Sequence, residues 1–372
     1  MIGYYIRTKR FWVYYFAIRI LYLIFAIHIY GKLTQLGDTE RYLNASLSSV
    51  TDFSFLWNST KMMDAIGSIM GILGGSNVLT NLPFTILSFF TVKWIIDKYH
   101  FRQYINNRLL LFVLSLPNFC IWTDICSKET VGLVFSAILG SFVLDFLSGN
   151  YSIKKKHIFA MYLCLIFKPQ YAPFIIQGLF VIYVMNRFCR TISRKVLLGL
   201  LVIFCNAVLL YLVKDVVNEY ANMMYVHFDF DGSSTRDNLW LKDNDFFYEA
   251  PRGMFVAFFG PTVSEMMHTP THLIAGIESC ILLMLFLILG SHFFYRLVYQ
   301  YKLNVTLFFS YFIIITGIAL LHYPFGIFNP GSAIRYRTNF LFLFILLFLY
   351  LQKTYKHIYL SLIHISEPTR LR

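Results

Sequence analysis

LNVTLFFSYFIIITGIALLHYP (303–324) is an almost unbroken apolar run, and LFLFILLFLYL (341–351) is a second one close behind it. Between them stands NPGSAIRYRTNF (329–340), where two arginines flank a tyrosine. An apolar run of roughly 20 residues with few charges is long enough to cross a bilayer as a helix. Similar runs recur at 11–30, 77–96, 109–123, 130–148, 196–213 and 272–295. Residues 157–186 are broken by KPQYAP (168–173), whose two prolines each remove a helix hydrogen bond, and read as two short helices or a re-entrant pair. The expected fold class is therefore all-α: a polytopic membrane protein with about ten transmembrane helices.

Composition agrees. Hydrophobic residues make up 58% of the 372 residues and charged residues 14%, and the mean hydropathy is +0.60. These values lie outside the range of soluble domains. The net charge of +13 calls for no nucleic acid, because excess Lys and Arg in such a chain mark cytoplasmic loops. The six cysteines form no CxxC or Cys/His spacing, so neither a zinc site nor a disulfide framework is indicated. The first run contains Arg19 and lacks a small-residue cleavage site, so it reads as a retained span.

The basic residues orient the spans. Arg7, Lys9 and Arg10 precede the first, placing the N-terminus in the cytoplasm. Lys93, Lys98, Arg102 and Arg108, then Lys154, Lys155 and Lys156, then Arg187 to Lys195 mark further inner loops. The longer loop 214–271 carries Asp215, Glu219, Asp229, Asp231, Asp237, Asp243, Asp245, Glu249 and Glu265, and is expected outside. Within it, residues 251–261 are apolar but too short to span and are expected along the surface; earlier in the chain, the glycine-rich piece 65–75 is expected to lie in the interface rather than cross. The expected organisation is one membrane domain over residues 1–359. The last stretch, SLIHISEPTRLR (361–372), resembles a translated sequencing adaptor, so 360–372 is expected to be a non-native tail.

On this layout Asp38, Glu40, Lys128, Glu129, Lys168, Arg335 and Arg337 share the outer side. Arginine binds phosphate oxygens bidentately and keeps its charge, so Arg335 and Arg337, with Tyr336 between them, suit a lipid-linked phosphate or diphosphate. The plainer reading anchors a helix end among headgroups. In GDTERYL (37–43), Asp38 and Glu40 can serve as general base or hold a divalent metal ion; they can equally cap a helix beginning near Arg41. Lys128 can hold a phosphate with Glu129 orienting it; the alternative is a snorkelling lysine beside a first-turn glutamate. Lys168, between two apolar helices, is costly without a partner. Arg19, near mid-span, is expected to have an interhelical partner. His28, Asp145 and Glu278 lie close enough to span ends to be wetted.

The acidic pair Asp38 and Glu40 in the first outer loop resembles multi-span glycosyltransferases of the GT-C type, which use polyprenol-phosphate donors. PNFCIWTDICSKE (117–129) and NPGSAIRYRTNF (329–340) also resemble segments of bacterial membrane proteins assigned to O-antigen or capsule repeat-unit polymerisation. The resemblance implies an enzyme of the bacterial inner membrane with an extracytoplasmic active site. It takes a polyprenyl-linked sugar donor and a glycan acceptor within the lipid bilayer. Asp38 would be the catalytic acid/base, and Arg335 and Arg337 would hold the donor phosphate. The chain lacks the large soluble C-terminal domain of some such transferases, and only one external loop is long, which leaves single-sugar transferase and polymerase both open. The rival expectation is a flippase for the same lipid-linked sugar, although no internal repeat is visible.

Overall fold

A computed structural model describes residues 2–227, 236, 245–300 and 304–366. All regular structure among them is helical. The helices that organise the molecule are α1 (Ile2–Phe25), α2 (Thr39–Leu43), α3 (Ser59–Gly71), α4 (Val78–Lys98), α5 (Asn107–Leu114), α6 (Pro117–Thr123), α7 (Lys128–Leu147) and α8 (Lys155–Phe167). They continue with α9 (Ala172–Arg187), α10 (Ile192–Leu212), α11 (Lys214–His227), α12 (Asp245–Phe259), α13 (Pro270–Gln300), α14 (Val305–Phe328) and α15 (Pro330–Ser366).

Seven helices among the described residues are long and apolar enough to cross a membrane: α1 with its extension to Leu33, α4, α7, α10, α13, α14 and α15. The other three expected crossings fall on shorter pieces. Residues 109–123 break between α5 and α6, where Pro117 offers no N–H and forces Leu116 into an extended conformation. The KPQYAP interruption ends α8 at Phe167 and starts α9 at Ala172, leaving helices of 13 and 16 residues.

The bundle is built around α7 and α15, which pack along each other and bury most of the residues in their apolar spans, Lys128–Leu147 and Pro330–Lys353. Between membrane helices, association rests on close van der Waals packing, which small residues allow. Gly132 is such a contact, because a Cβ there would collide with the Asn339 side chain. Further from this centre, α8 packs on α7, α9 on α14, and α4 on α1 and α7. Helix α10 is the least buried of the seven, with Gly199, set against Phe309 of α14, its one buried residue.

The helices alternate in direction, and their ends collect the charges into two sets. At one end Lys98 meets Asp145 at 2.7 Å, Lys353 donates to the Tyr99 carbonyl at 3.1 Å, and Lys93 lies over the Trp12 ring. The other end holds Asp38, Lys128, Glu129 and Arg335.

Several expectations change. NPGSAIRYRTNF is not a lip before the last span but its first turns, for α15 starts at Pro330 rather than Thr338. Proline suits the first helical position, and the Asn329 side chain accepts from the Ser332 N–H at 2.9 Å. Residues 251–259 form the end of α12 and pack against α14 instead of lying along a surface; Tyr323 fills the space above Gly253, and Phe258 stacks on Phe344. Glu278 is not wetted but fully buried. The loop 214–271 is helical in α11 and α12, and Asp229, Asp231, Asp237 and Asp243 lie outside the described residues. The helical path of α15 continues through Ser366, and residues 367–372 of the expected tail are likewise outside.

Candidate functional site

The first turns of α15 present Arg335, Tyr336 and Arg337 in succession. Each helical residue turns about 100° from the last, so positions two apart face opposite sides. Arg337 consequently points into the bundle, where it is 1% exposed. It donates to Glu278 Oε1 at 2.9 Å, Ser279 Oγ at 2.9 Å and the Phe258 carbonyl at 2.6 Å. The second oxygen of Glu278 accepts the Asn118 backbone N–H at 2.5 Å. Through one ion pair, α15 is thus tied to α13, α12 and α6. The expectation that both arginines hold phosphate is corrected here: Arg337 spends its donors on the interior, and only Arg335 faces the charged end.

Arg335 is held between two carboxylates. Its Nε donates to Glu129 Oε1 at 3.1 Å, and its Nη2 lies 3.5 Å from Asp38 Oδ2. The guanidinium also sits 5.4 Å from the centre of the Trp122 ring. The two carboxylates differ in burial. Glu129 is 1% exposed and Asp38 45%. Glu129 is fixed because the Ser127 hydroxyl caps α7, accepting from the Thr130 N–H at 3.2 Å, which sets Glu129 in the first turn beneath Arg335. Its other oxygen, Oε2, is buried and accepts no hydrogen bond among the described residues.

Asp38 precedes α2 on a loop whose shape depends on Gly37. That residue has φ of +60°, and a Cβ on it would collide with the Arg335 guanidinium. The Tyr42 hydroxyl donates to Asp38 Oδ2 at 3.1 Å, and Arg41 Nε approaches Oδ1 at 3.6 Å. Partial burial pushes the Asp38 carboxyl up, but Arg335 and the Tyr42 hydrogen bond outweigh it and hold the group below its ordinary range. A carboxylate so held is a weak proton acceptor while Arg335 remains beside it.

Lys128 donates to Thr60 Oγ1 at 2.8 Å within electrostatic reach of Asp38 and Glu129. Lys168, at the break between α8 and α9, lies 4.0 Å above the Tyr336 ring, which supplies the partner its position demands. The fold therefore brings Asp38, Lys128, Glu129, Lys168, Arg335 and Tyr336 to one end of the bundle. Glu40 goes elsewhere: it is exposed and lines a cleft of about 650 Å³ with Lys32, Arg41 and Ser76. A second polar cleft, of about 280 Å³, reaches Arg335 itself and is lined by Trp122, Thr271, His272, Asn329 and Ser332 among others. Gln35 and Gly37 border both clefts.

The divalent-ion expectation needs Asp38 and Glu40 to act together. Asp38 is already engaged by Arg335 and Tyr42, and Glu40 borders a cleft that Asp38 does not line. No group of three or more His, Cys, Asp or Glu side chains converges among the described residues. The residues do not fit a metal ion, and no step is derived through one.

Other polar contacts lie outside this cluster. Arg19 meets Asp124 at 2.6 Å, both fully buried, so the mid-span arginine has the partner it required. A charge inside an apolar run was the available signal there, and equally at Glu278. No sequence signal marks Arg236. It is paired bidentately with Glu265 and donates through Nη1 to the Gly326 and Ile327 carbonyls, at 3.1 and 2.8 Å, which secures the end of α14.

Chemically, the arrangement offers one partly exposed guanidinium at a polar cleft, with a fixed carboxylate behind it and a displaceable one in front. An incoming phosphate can take over the donors now facing Asp38 while Glu129 keeps the guanidinium in position. Comparison with protein-family models, curated proteins and solved structures finds no match to this chain.

Proposed function

We propose that the protein is an integral membrane glycosyltransferase acting on polyprenyl-phosphate- or diphosphate-linked sugars in bacterial surface-polysaccharide synthesis, either as a single-sugar transferase or as the repeat-unit polymerase. The observation that carries this reading is Arg335, a cation at the mouth of a polar cleft, held between Asp38 and Glu129. In this reading the bundle has ten crossings in the inner membrane, its N-terminus is cytoplasmic and the Arg335 end is extracytoplasmic.

The reading links recognition to proton transfer. A donor phosphate binds Arg335, with Lys128 and Lys168 adding positive charge near the leaving group. As the guanidinium turns to the phosphate, Asp38 loses the neighbour that holds its proton affinity down. It then accepts the proton of the attacking sugar hydroxyl. The glycosidic bond to the carrier phosphate breaks as the new bond to the acceptor oxygen forms, and the phosphate leaves with its charge matched by fixed cations.

Two buried ion pairs, Arg19–Asp124 and Arg337–Glu278, favour a second reading, transport of the same lipid-linked sugar, since charges inside membrane bundles often mark pathways. Purified protein given lipid-linked substrate separates the two, because a flippase makes no bond. Asp38→Asn and Arg335→Ala are each expected to abolish glycan elongation with the protein still in the membrane; normal glycan length in both variants refutes the assigned roles.

A further inference from the structure

Two cavities are built on the same three elements. The polar cleft at Arg335 takes Tyr30 from the turn that follows α1, Trp122 from α6, and Thr271 and His272 from α13. Ile18, Leu21, Tyr22 and Phe25 of α1, Pro117 of α6 and Ile274 of α13 line an apolar groove of about 500 Å³. At 1.5 Å per residue, the groove lies further from the charged end on all three helices, by about 8–18 Å on α1, about 8 Å on α6 and about 3–5 Å on α13. Helix α1 packs on α4 and α6, and α13 on α6, α12 and α15, but α1 and α13 do not form a packed pair. The groove is the gap between them, floored by α6. Leu21 at its lip is 65% exposed, so the groove opens sideways from the bundle.

We infer that the gap between α1 and α13 is a lateral port for the hydrocarbon chain of a lipid whose phosphate lies at Arg335. The inference rests on the reading that Arg335 takes a lipid-linked phosphate. Polar lining at one end and apolar lining further along the same three helices match a molecule with a charged head and a long apolar tail. The wall opposite α13 is a helix surface of Ile18, Leu21, Tyr22 and Phe25, which gives the tail a largely apolar environment like that of the bilayer it leaves. Two sources share this chemistry, a long-chain isoprenyl phosphate and an ordinary bilayer phospholipid. One apolar groove beside the cleft offers a path for one chain, which commits the inference to the single-chain carrier.

The test uses the full chain in phospholipid nanodiscs, with a photo-cross-linking residue placed at Leu21, at Ile274 or, as a lipid-facing control, at Leu200 of α10. Radiolabelled long-chain isoprenyl phosphate is the probe, and size-exclusion profiles confirm that each variant is folded. Labelling at Leu21 and Ile274 is expected to exceed that at Leu200 by about tenfold, the effect of a preference near 1.4 kcal/mol. Unlabelled isoprenyl phosphate should compete, added phospholipid should not, and Arg335→Ala should reduce labelling at both positions. Equal labelling at all three positions overturns the port. Competition by phospholipid overturns the carrier assignment, and indifference to Arg335→Ala overturns the link to the phosphate. If labelling is specific but purified protein forms no glycosidic bond, the transferase reading fails while the port stands.

Discussion

Arg335 Nε donates to Glu129 Oε1 at 3.1 Å, and this carboxylate, 1% exposed, is the fixed half of a clamp whose other half, Asp38, is 45% exposed. The asymmetry gives the two carboxylates different jobs. Glu129 sets where the guanidinium is; Asp38 sets what it does before a ligand arrives.

Removing the fixed half should therefore cost both stability and activity. Breaking a buried ion pair from one side costs about 3–5 kcal/mol because a charge is left buried without a partner. Glu129→Ala is expected to lower the unfolding temperature in detergent as well as elongation. Asp38→Asn is expected to lower elongation while leaving unfolding nearly unchanged, because an exposed pair contributes little. Thermal unfolding and elongation measured on the same preparations check the split.

Arg337 and Glu278 should behave as a structural unit. Each is 1% exposed, and their ion pair joins α15 to α13. Arg337→Ala and Glu278→Ala are each expected to destabilise by about 3–5 kcal/mol, and the double variant by clearly less than the sum. A thermal double-mutant cycle measures the coupling. Additive losses would show that the two groups do not depend on one another.

Gly37→Ala offers a way to disturb Arg335 from a distance along the chain. The left-handed backbone costs an alanine about 1–2 kcal/mol, and the new methyl group meets the guanidinium. The variant is expected to reproduce much of the activity loss of Arg335→Ala with only a small drop in unfolding temperature. Near-normal elongation in Gly37→Ala would mean that Arg335 can move without consequence.

The pH dependence of stability should carry the mark of Glu265. Burial pushes this carboxyl up, but Arg236 and the Thr262 N–H outweigh it and hold the group at about 2, against an ordinary value of 4.5. A folded value below the unfolded one contributes stability that is fully present above about pH 4.5 and is lost as pH falls towards 2. Glu265→Gln should lower the unfolding temperature at neutral pH, and its gap from the parent protein should close over that acid interval. A gap that stays constant to pH 2 would rule the ion pair out as its cause.

The spans were largely legible in the sequence because their signal is local. Roughly 20 apolar residues specify a crossing whatever surrounds them, and proline ends a helix by removing its own N–H. Seven long helices, the break at KPQYAP and the need of Arg19 for a partner all follow from such arithmetic. So does the gathering of Asp38, Lys128, Glu129, Lys168 and Arg335 at one end, once the spans alternate.

What only the tertiary structure decided is direction around each helix axis. Arg335 and Arg337 read as an equivalent pair in NPGSAIRYRTNF, yet the helical turn aims one at Asp38 and the other at Glu278. Nothing in the sequence tells which of two faces will be packed against α12 and α13. Arg236, joined to Glu265 and to the last carbonyls of α14, had no local mark at all. Hydrophobicity along the chain fixes how deep a residue sits in the bundle; which neighbour it meets there depends on how the helices rotate to fill one another's gaps.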